Sequence, residues 1–130
     1  MPGVYVDTSA LGRVLLREAD SGAVLGELER FDRRVASALL RVELRRLGLR
    51  RGLLTEATEL AAAISLVPVD QDVLDRAEVI LPAEAATLDA IHLATAVQLA
   101  ADGFVDAIMT YDQRLSAAAG AHGLDVLSPA

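Results

Sequence analysis

The 130 residues contain no cysteine and no lysine. Lack of cysteine excludes disulfides, thiolate catalysis, zinc ribbons and iron–sulfur clusters, and fits a reducing compartment, so the cytoplasm is the expected location. Lack of lysine excludes every mechanism that needs an ammonium, including Schiff bases and Walker-type phosphate loops. No basic n-region followed by an apolar h-region opens the chain. No apolar run approaches the roughly 18 residues of a membrane span, so no membrane association is expected.

Hydrophobic residues make up 53% of the chain and charged residues 24%. That composition predicts one folded domain over residues 1–130 with a core of its own. The formal charge is −7, which argues against generic attraction to polyanions. All twelve basic residues are Arg, and eight of them lie between Arg30 and Arg51 against only Asp32 and Glu43, a local net charge of +6.

Val4-Tyr5-Val6 reads as a strand that feeds, through Asp7-Thr8-Ser9, a helix from Ala10 to about Arg17. Helices are expected over Ser21–Arg30, Ala38–Leu47 (loosened at its end by Gly48 and Gly52), Thr55–Ile64, Asp70–Ile80, Leu88–Ala101 and Asp112–Ala119. Strands are expected at Arg34–Ala36, Leu66–Val69, Val105–Met109 and Asp125–Leu127. The strand at Leu66–Val69 reads as buried, with Pro68 placing it at a sheet edge. Alternating short strands and helices predict an α/β fold, a three-layer α/β/α sandwich on a short, mostly parallel five-stranded sheet.

In such a sheet ligands gather at the carboxyl ends of the strands. Asp7 ends the first strand and two residues separate Asp112 from the fourth, so adjacent central strands bring both acids to one edge, although either alone could be a helix cap. At about 100° per residue, Glu43 falls about 40° from Leu39, inside the arc of Leu40, Leu44 and Leu47. A carboxylate thus stands where a Leu belongs, unless it sits at the core rim with its head in water or on an Arg. Asp89 is the only formally charged residue between Ala85 and Ala101. It falls in the first turn of a mostly interior helix, where the dipole helps but does not account for a largely enclosed charge. His92, three residues on, could orient an acid or a water; the ordinary expectation for it is a core-edge ring with a backbone partner. His122 is expected to be exposed.

Four converging acids repel by about 4 kcal/mol per close pair at roughly 4 Å and an effective dielectric of about 20. Protons or cations must offset this, and an all-oxygen set without Cys or a His pair suits Mg²⁺ or Mn²⁺ and not zinc. Hard cations on a few carboxylates serve phosphoryl chemistry, so hydrolysis of a phosphodiester or phosphomonoester is expected. Thr8, Ser9 and Thr110 adjoin the acids and could bond them or bound waters. Other α/β phosphate chemistries each miss a required residue. A receiver domain needs a Lys, a haloacid-dehalogenase-type phosphatase needs an Asp where Ser9 stands, and a dinucleotide fold needs G-x-G-x-x-G after the first strand.

The blocks D-T-S-A-L at Asp7, S-A-L-L-R-V-E-L at Ser37–Leu44, L-D-A-I-H-L-A-T-A at Leu88–Ala96 and T-Y-D-Q-R-L at Thr110–Leu115 occur in order over nearly the whole length. In them the chain resembles PIN domains, and among these the VapC toxins of toxin–antitoxin pairs. The resemblance implies a metal-dependent endoribonuclease whose VapB antitoxin blocks the site. It matches Asp7, Glu43, Asp89 and Asp112 to the acidic quartet that holds Mg²⁺ (or Mn²⁺), and Thr8, Ser9 and Thr110 to its hydroxyl neighbours. Arg114 stands where some members carry a further acid. Homodimers are usual among such relatives.

On this reading Asp7 and Asp89 hold the main metal, and Glu43 and Asp112 complete the pocket or position the water. Arg13, Arg17, Arg41 and Arg45 are candidate RNA contacts, against the simpler reading of a solvated face or a dock for an acidic partner. With so few aromatics, recognition of backbone and shape is expected to dominate over stacking. The competing readings are a metal-dependent phosphatase or DNA nuclease on the same acids, and an inert interaction domain in which the acids are caps and paired charges.

Overall fold

In the computed structural model, which describes residues 2–130, the chain order is β1 (Gly3–Val6), α1 (Thr8–Leu15), α2 (Ser21–Glu29), β2 (Arg33–Ser37), α3 (Leu39–Arg51), α4 (Leu54–Ala62), β3 (Ser65–Val67), α5 (Gln71–Ala77), α6 (Thr87–Ala101), β4 (Ala107–Met109), α7 (Gln113–Ala121) and β5 (Asp125–Leu127). The strands lie in the order β3-β2-β1-β4-β5, and all four pairings are parallel. Parallel neighbours need crossovers, and the crossovers supply the helices. Helices α1–α4 pack on one another and α5–α7 on one another, which gives the expected α/β/α sandwich.

β1 is the central strand, and Val4, Tyr5 and Val6 are wholly buried, as a strand covered on both faces requires. From β1 the chain moves outward to β2 and β3, then returns to the other side of β1 for β4 and β5. The strand order therefore reverses between β1 and β4, and a crevice opens at their carboxyl ends. The backbone closes it from below: Asp7 N–H donates to Met109 C=O at 2.9 Å, and Thr110 N–H to Leu127 C=O at 3.0 Å.

Several elements differ from the expectation. β3 is the edge strand that Pro68 implied, but it ends at Val67 and is half-buried to exposed, since a sheet edge is covered less than its centre. α5 stops at Ala77, three residues short of Ile80. α3 runs four residues beyond Leu47. Gly48 does not end it but packs against α4, and Gly52, at φ 69°, takes the left-handed conformation that stops it. In α3 the buried positions Leu40, Leu44 and Gly48 repeat every four residues, and in α6 every residue from Ala90 to Ala96 is buried.

Candidate active site

Asp7 follows β1 at the N-cap of α1, yet its side chain makes no capping bond. Instead Oδ2 accepts from Ser9 Oγ at 2.6 Å and from Thr110 Oγ1 at 2.8 Å. Thr110 Oγ1 in turn accepts Asp112 N–H at 3.0 Å, and Ser9 Oγ accepts Tyr111 N–H at 2.9 Å. Two hydroxyls thus tie the end of β1 to the loop after β4, and they fix a carboxylate that is only 6% exposed. Asp7 Oδ1 carries no hydrogen bond among the described residues and stays available to a ligand. The capping alternative fails for Asp7 and holds for Asp112, whose Oδ1 accepts from Arg114 N–H at 2.9 Å and Leu115 N–H at 3.0 Å.

Glu43 lies on α3 facing the crevice, neither free in water nor on an Arg. Its Oε1 accepts from Thr8 Oγ1 at 2.8 Å and from His92 Nε2 at 2.6 Å. Burial opposes the charge of Glu43, but the His92 bond and charge and the Thr8 bond together hold its carboxyl below the usual range. The expected backbone partner of His92 is replaced by two side chains. The ring is 2% exposed, and Nδ1 meets Tyr5 Oη at 2.7 Å. Burial favours the neutral ring, yet the bond to Glu43 and the charges of Asp7, Glu43 and Asp89 outweigh it and raise the imidazole above its ordinary value.

Sequence reasoning missed Tyr5, whose aromatic ring in a β-branched run reads as packing. Its Oη also accepts Ser37 N–H at 3.1 Å. Burial, then the nearby charges of Asp7 and Glu43, push the phenol up against the Ser37 bond, so the hydroxyl keeps its proton. Nε2 carries a proton toward the Glu43 carboxylate, and the Tyr5 hydroxyl, which can donate or accept, braces Nδ1. A chain of hydrogen bonds links Ser37, Tyr5, His92 and Glu43 under the crevice.

Asp89 sits in the first turn of α6 and is half-buried at the mouth of the site, more open than the sequence suggested, because full burial begins only at Ala90. Its carboxyl is raised above the usual range, by burial first and then by the charges of Asp112, Asp7 and Glu43, with His92 opposing. The four acids therefore share one electrostatic field. Among the described residues no three His, Asp or Glu side chains form a ready-made metal cage. The donor set is nevertheless all oxygen, unbalanced in charge and open to water, which fits a hard cation held by one or two carboxylates with water completing its shell.

The candidate arginines diverge. Arg13 lies 4.4 Å over the Tyr111 ring and pairs with Asp20 at 3.5 Å, beside the site. Arg17 is exposed just past the end of α1, and Arg41 is exposed on α3. Arg45 is turned toward α4, where its Nε donates to Thr58 Oγ1 at 3.1 Å. His122 is exposed as expected, with Nε2 2.6 Å from Leu81 C=O.

Residues 4–121 match the family model for the PIN domain. Ribonuclease VapC46 of Mycobacterium tuberculosis is 40% identical to the chain over 134 aligned positions, with 99% of each protein covered. Ribonuclease VapC47 of the same species is 33% identical, covering 97% of this chain and 96% of the relative. A solved structure described as a toxin–antitoxin complex from Klebsiella pneumoniae superposes with a TM-score of 0.73 over 98% of both chains, at 19% identity.

Proposed function

From the premise that the chain belongs to the PIN-domain family, and within it to the VapC type, we propose that it is the toxin of a toxin–antitoxin pair, a metal-dependent endoribonuclease that hydrolyses RNA phosphodiesters in the cytoplasm. Its partners are a VapB-type antitoxin that covers the crevice and a second copy of the chain in a homodimer. The observation that carries this reading is the hydrogen-bond network that gathers the acids: Thr110 joins Asp7 to the Asp112 backbone, and Glu43 is bonded to Thr8, next to Asp7, and to His92, three residues after Asp89 on α6.

When bound, Mg²⁺ or Mn²⁺ offsets the phosphate charge, lowers the pKa of an attacking water and stabilises the leaving oxygen. Asp7 and Asp89 would hold the ion, while Ser9 and Thr110 keep the Asp7 carboxylate from rotating. Glu43, with Oε1 taken by Thr8 and His92, presents Oε2 to accept a hydrogen bond from the attacking water. Asp112 uses Oδ1 to cap α7 and offers Oδ2 to a water in the crevice.

The test is cleavage of a single-stranded RNA and of the DNA of the same sequence by the purified protein, with Mg²⁺ or with EDTA, alongside Asp7→Asn and Asp89→Asn. RNA cleavage by the wild-type protein alone, lost in EDTA, is the expected result. Cleavage and growth arrest that survive both substitutions overturn the assignment. Cleavage of the DNA strand alone moves it to the competing nuclease class.

A further inference from the structure

Beside the acids lies a cavity of about 760 Å³ between the start of α6, one face of α7 and the 81–86 loop. Its size lies within the range of small-molecule pockets. The space exists because the facing positions are alanines, Ala85 and Ala86 on one side and Ala117, Ala118 and Ala121 on the other, where larger side chains would close it. The loop wall is tied down by two bonds. His122 Nε2 lies 2.6 Å from Leu81 C=O, and Ala85 N–H donates to Pro82 C=O at 3.1 Å.

Of the three charged residues in the lining, Glu84, Asp89 and Arg114, the last two join this apolar space to the chemistry. Asp89 of the acidic site is part of its lining, so the cavity borders the crevice. Arg114, also in the lining, is exposed and has no ion pair among the described residues. An occupant that satisfies both features carries an apolar-faced body attached to an anion. A nucleotide does so, since the base has apolar faces and the phosphate is bonded through the sugar. An apolar peptide segment would fill the same volume but leave Arg114 unused.

We infer that this cavity seats a nucleobase of the RNA next to the scissile phosphate, with Arg114 contacting a neighbouring backbone phosphate. The inference rests on the ribonuclease reading and adds to it a base-selective subsite. No Phe, Tyr or Trp lines the cavity, so the base is held mainly by burial between aliphatic walls and by contacts at its edges. Glu84 and His122 are the side chains in the lining that can make those edge contacts. Backbone recognition alone would leave cleavage indifferent to base identity; this subsite makes one position selective.

The experiment uses the full chain, Mg²⁺ and a randomised single-stranded RNA pool, with the cut ends sequenced. The wild-type protein is expected to show a base bias at one position adjoining the cut. Ala117→Leu and Ala121→Leu extend bulk into the cavity from exposed helix positions; they should remove the bias and raise KM about tenfold at an unchanged melting temperature. Arg114→Gln should keep the bias, weaken binding of all sequences alike and lower the salt slope of binding by about 1. A wild-type protein without bias, or two Leu variants with wild-type bias and KM, overturns the subsite while leaving the ribonuclease reading intact. Leu variants that cut as wild type but no longer bind the antitoxin overturn it in favour of a peptide dock. A wild-type protein that cuts no RNA overturns the ribonuclease reading, and the subsite with it.

Discussion

Glu43 Oε1 accepts two hydrogen bonds, one of them from His92, whose other ring nitrogen is braced by Tyr5, 87 residues before it in the chain. The Tyr5 hydroxyl braces Nδ1 of the buried ring, and Nε2–H is turned to hold the carboxylate. Tyr5→Phe keeps the ring and its edge-on packing against His92, with centroids 6.0 Å apart, and removes only the hydroxyl. It also leaves the buried Ser37 N–H without its acceptor, which costs about 1–3 kcal/mol of stability. Loss of a group that orients a site carboxylate typically lowers activity about 10–100-fold. The expected result is a fall of that size in kcat with KM changed little, measured on one RNA at a temperature where the variant stays folded. His92→Gln, whose amide can still donate to Glu43, should retain more activity than His92→Leu, and equal loss in both would leave His92 a packing residue. The four acids stood out as candidates in the sequence because Glu43 and Asp89 interrupt apolar helix segments and Asp7 and Asp112 follow strands. Tyr5 did not, because nothing local separates a packed ring from one whose hydroxyl is bonded to groups 32 and 87 residues away.

At the scale of elements, a helix ends where its backbone must turn, and a glycine inside it says less. Gly48 looked like the loosened end of α3, yet the helix passes through it, because a Cβ there would sit 2.7 Å from Ala57 Cβ and 2.8 Å from Leu53 C=O of the adjoining α3–α4 turn. The glycine's cost in a helix interior, about 1 kcal/mol against Ala, is offset by the close approach it permits. Gly48→Ala should therefore lower stability by about 1–3 kcal/mol in urea unfolding, the usual cost of overpacking against backbone. Gly26→Ala on the exposed face of α2, where a Cβ meets nothing within 4 Å, should raise stability by about 0.4–1 kcal/mol. The order and type of all twelve elements were readable from β-branched runs, helix-forming composition and the residues that punctuate them, since these signals are local to each segment. The ends of α3 and α5 and the exposure of β3 were not, because tertiary contacts and position in the sheet decide them.

Across the whole molecule, the reversal of strand order at β1 gathers acids that lie far apart in sequence, and the assembled fold carries their repulsion. Asp89 decides the balance. Its place in the first turn of α6 contributes about 0.3–1 kcal/mol through the helix dipole. Burial and the charges of Asp112, Asp7 and Glu43 nevertheless hold its carboxyl above the unfolded value. For an acid shifted in that direction the ionised form opposes folding, so the opposition is absent well below the unfolded pKa and grows as pH rises through the folded one. At neutral pH the metal-free Asp89→Asn variant should therefore melt higher than the wild-type protein. Mg²⁺ at a hundred times its dissociation constant should stabilise the wild-type fold by about 2.7 kcal/mol, roughly 3–6 °C of melting temperature per kcal/mol for a domain of this size. Asp89→Asn should lose most of that gain, so the two melting curves exchange order between EDTA and Mg²⁺. Parallel shifts in both proteins would mean that the ion binds somewhere other than the crevice.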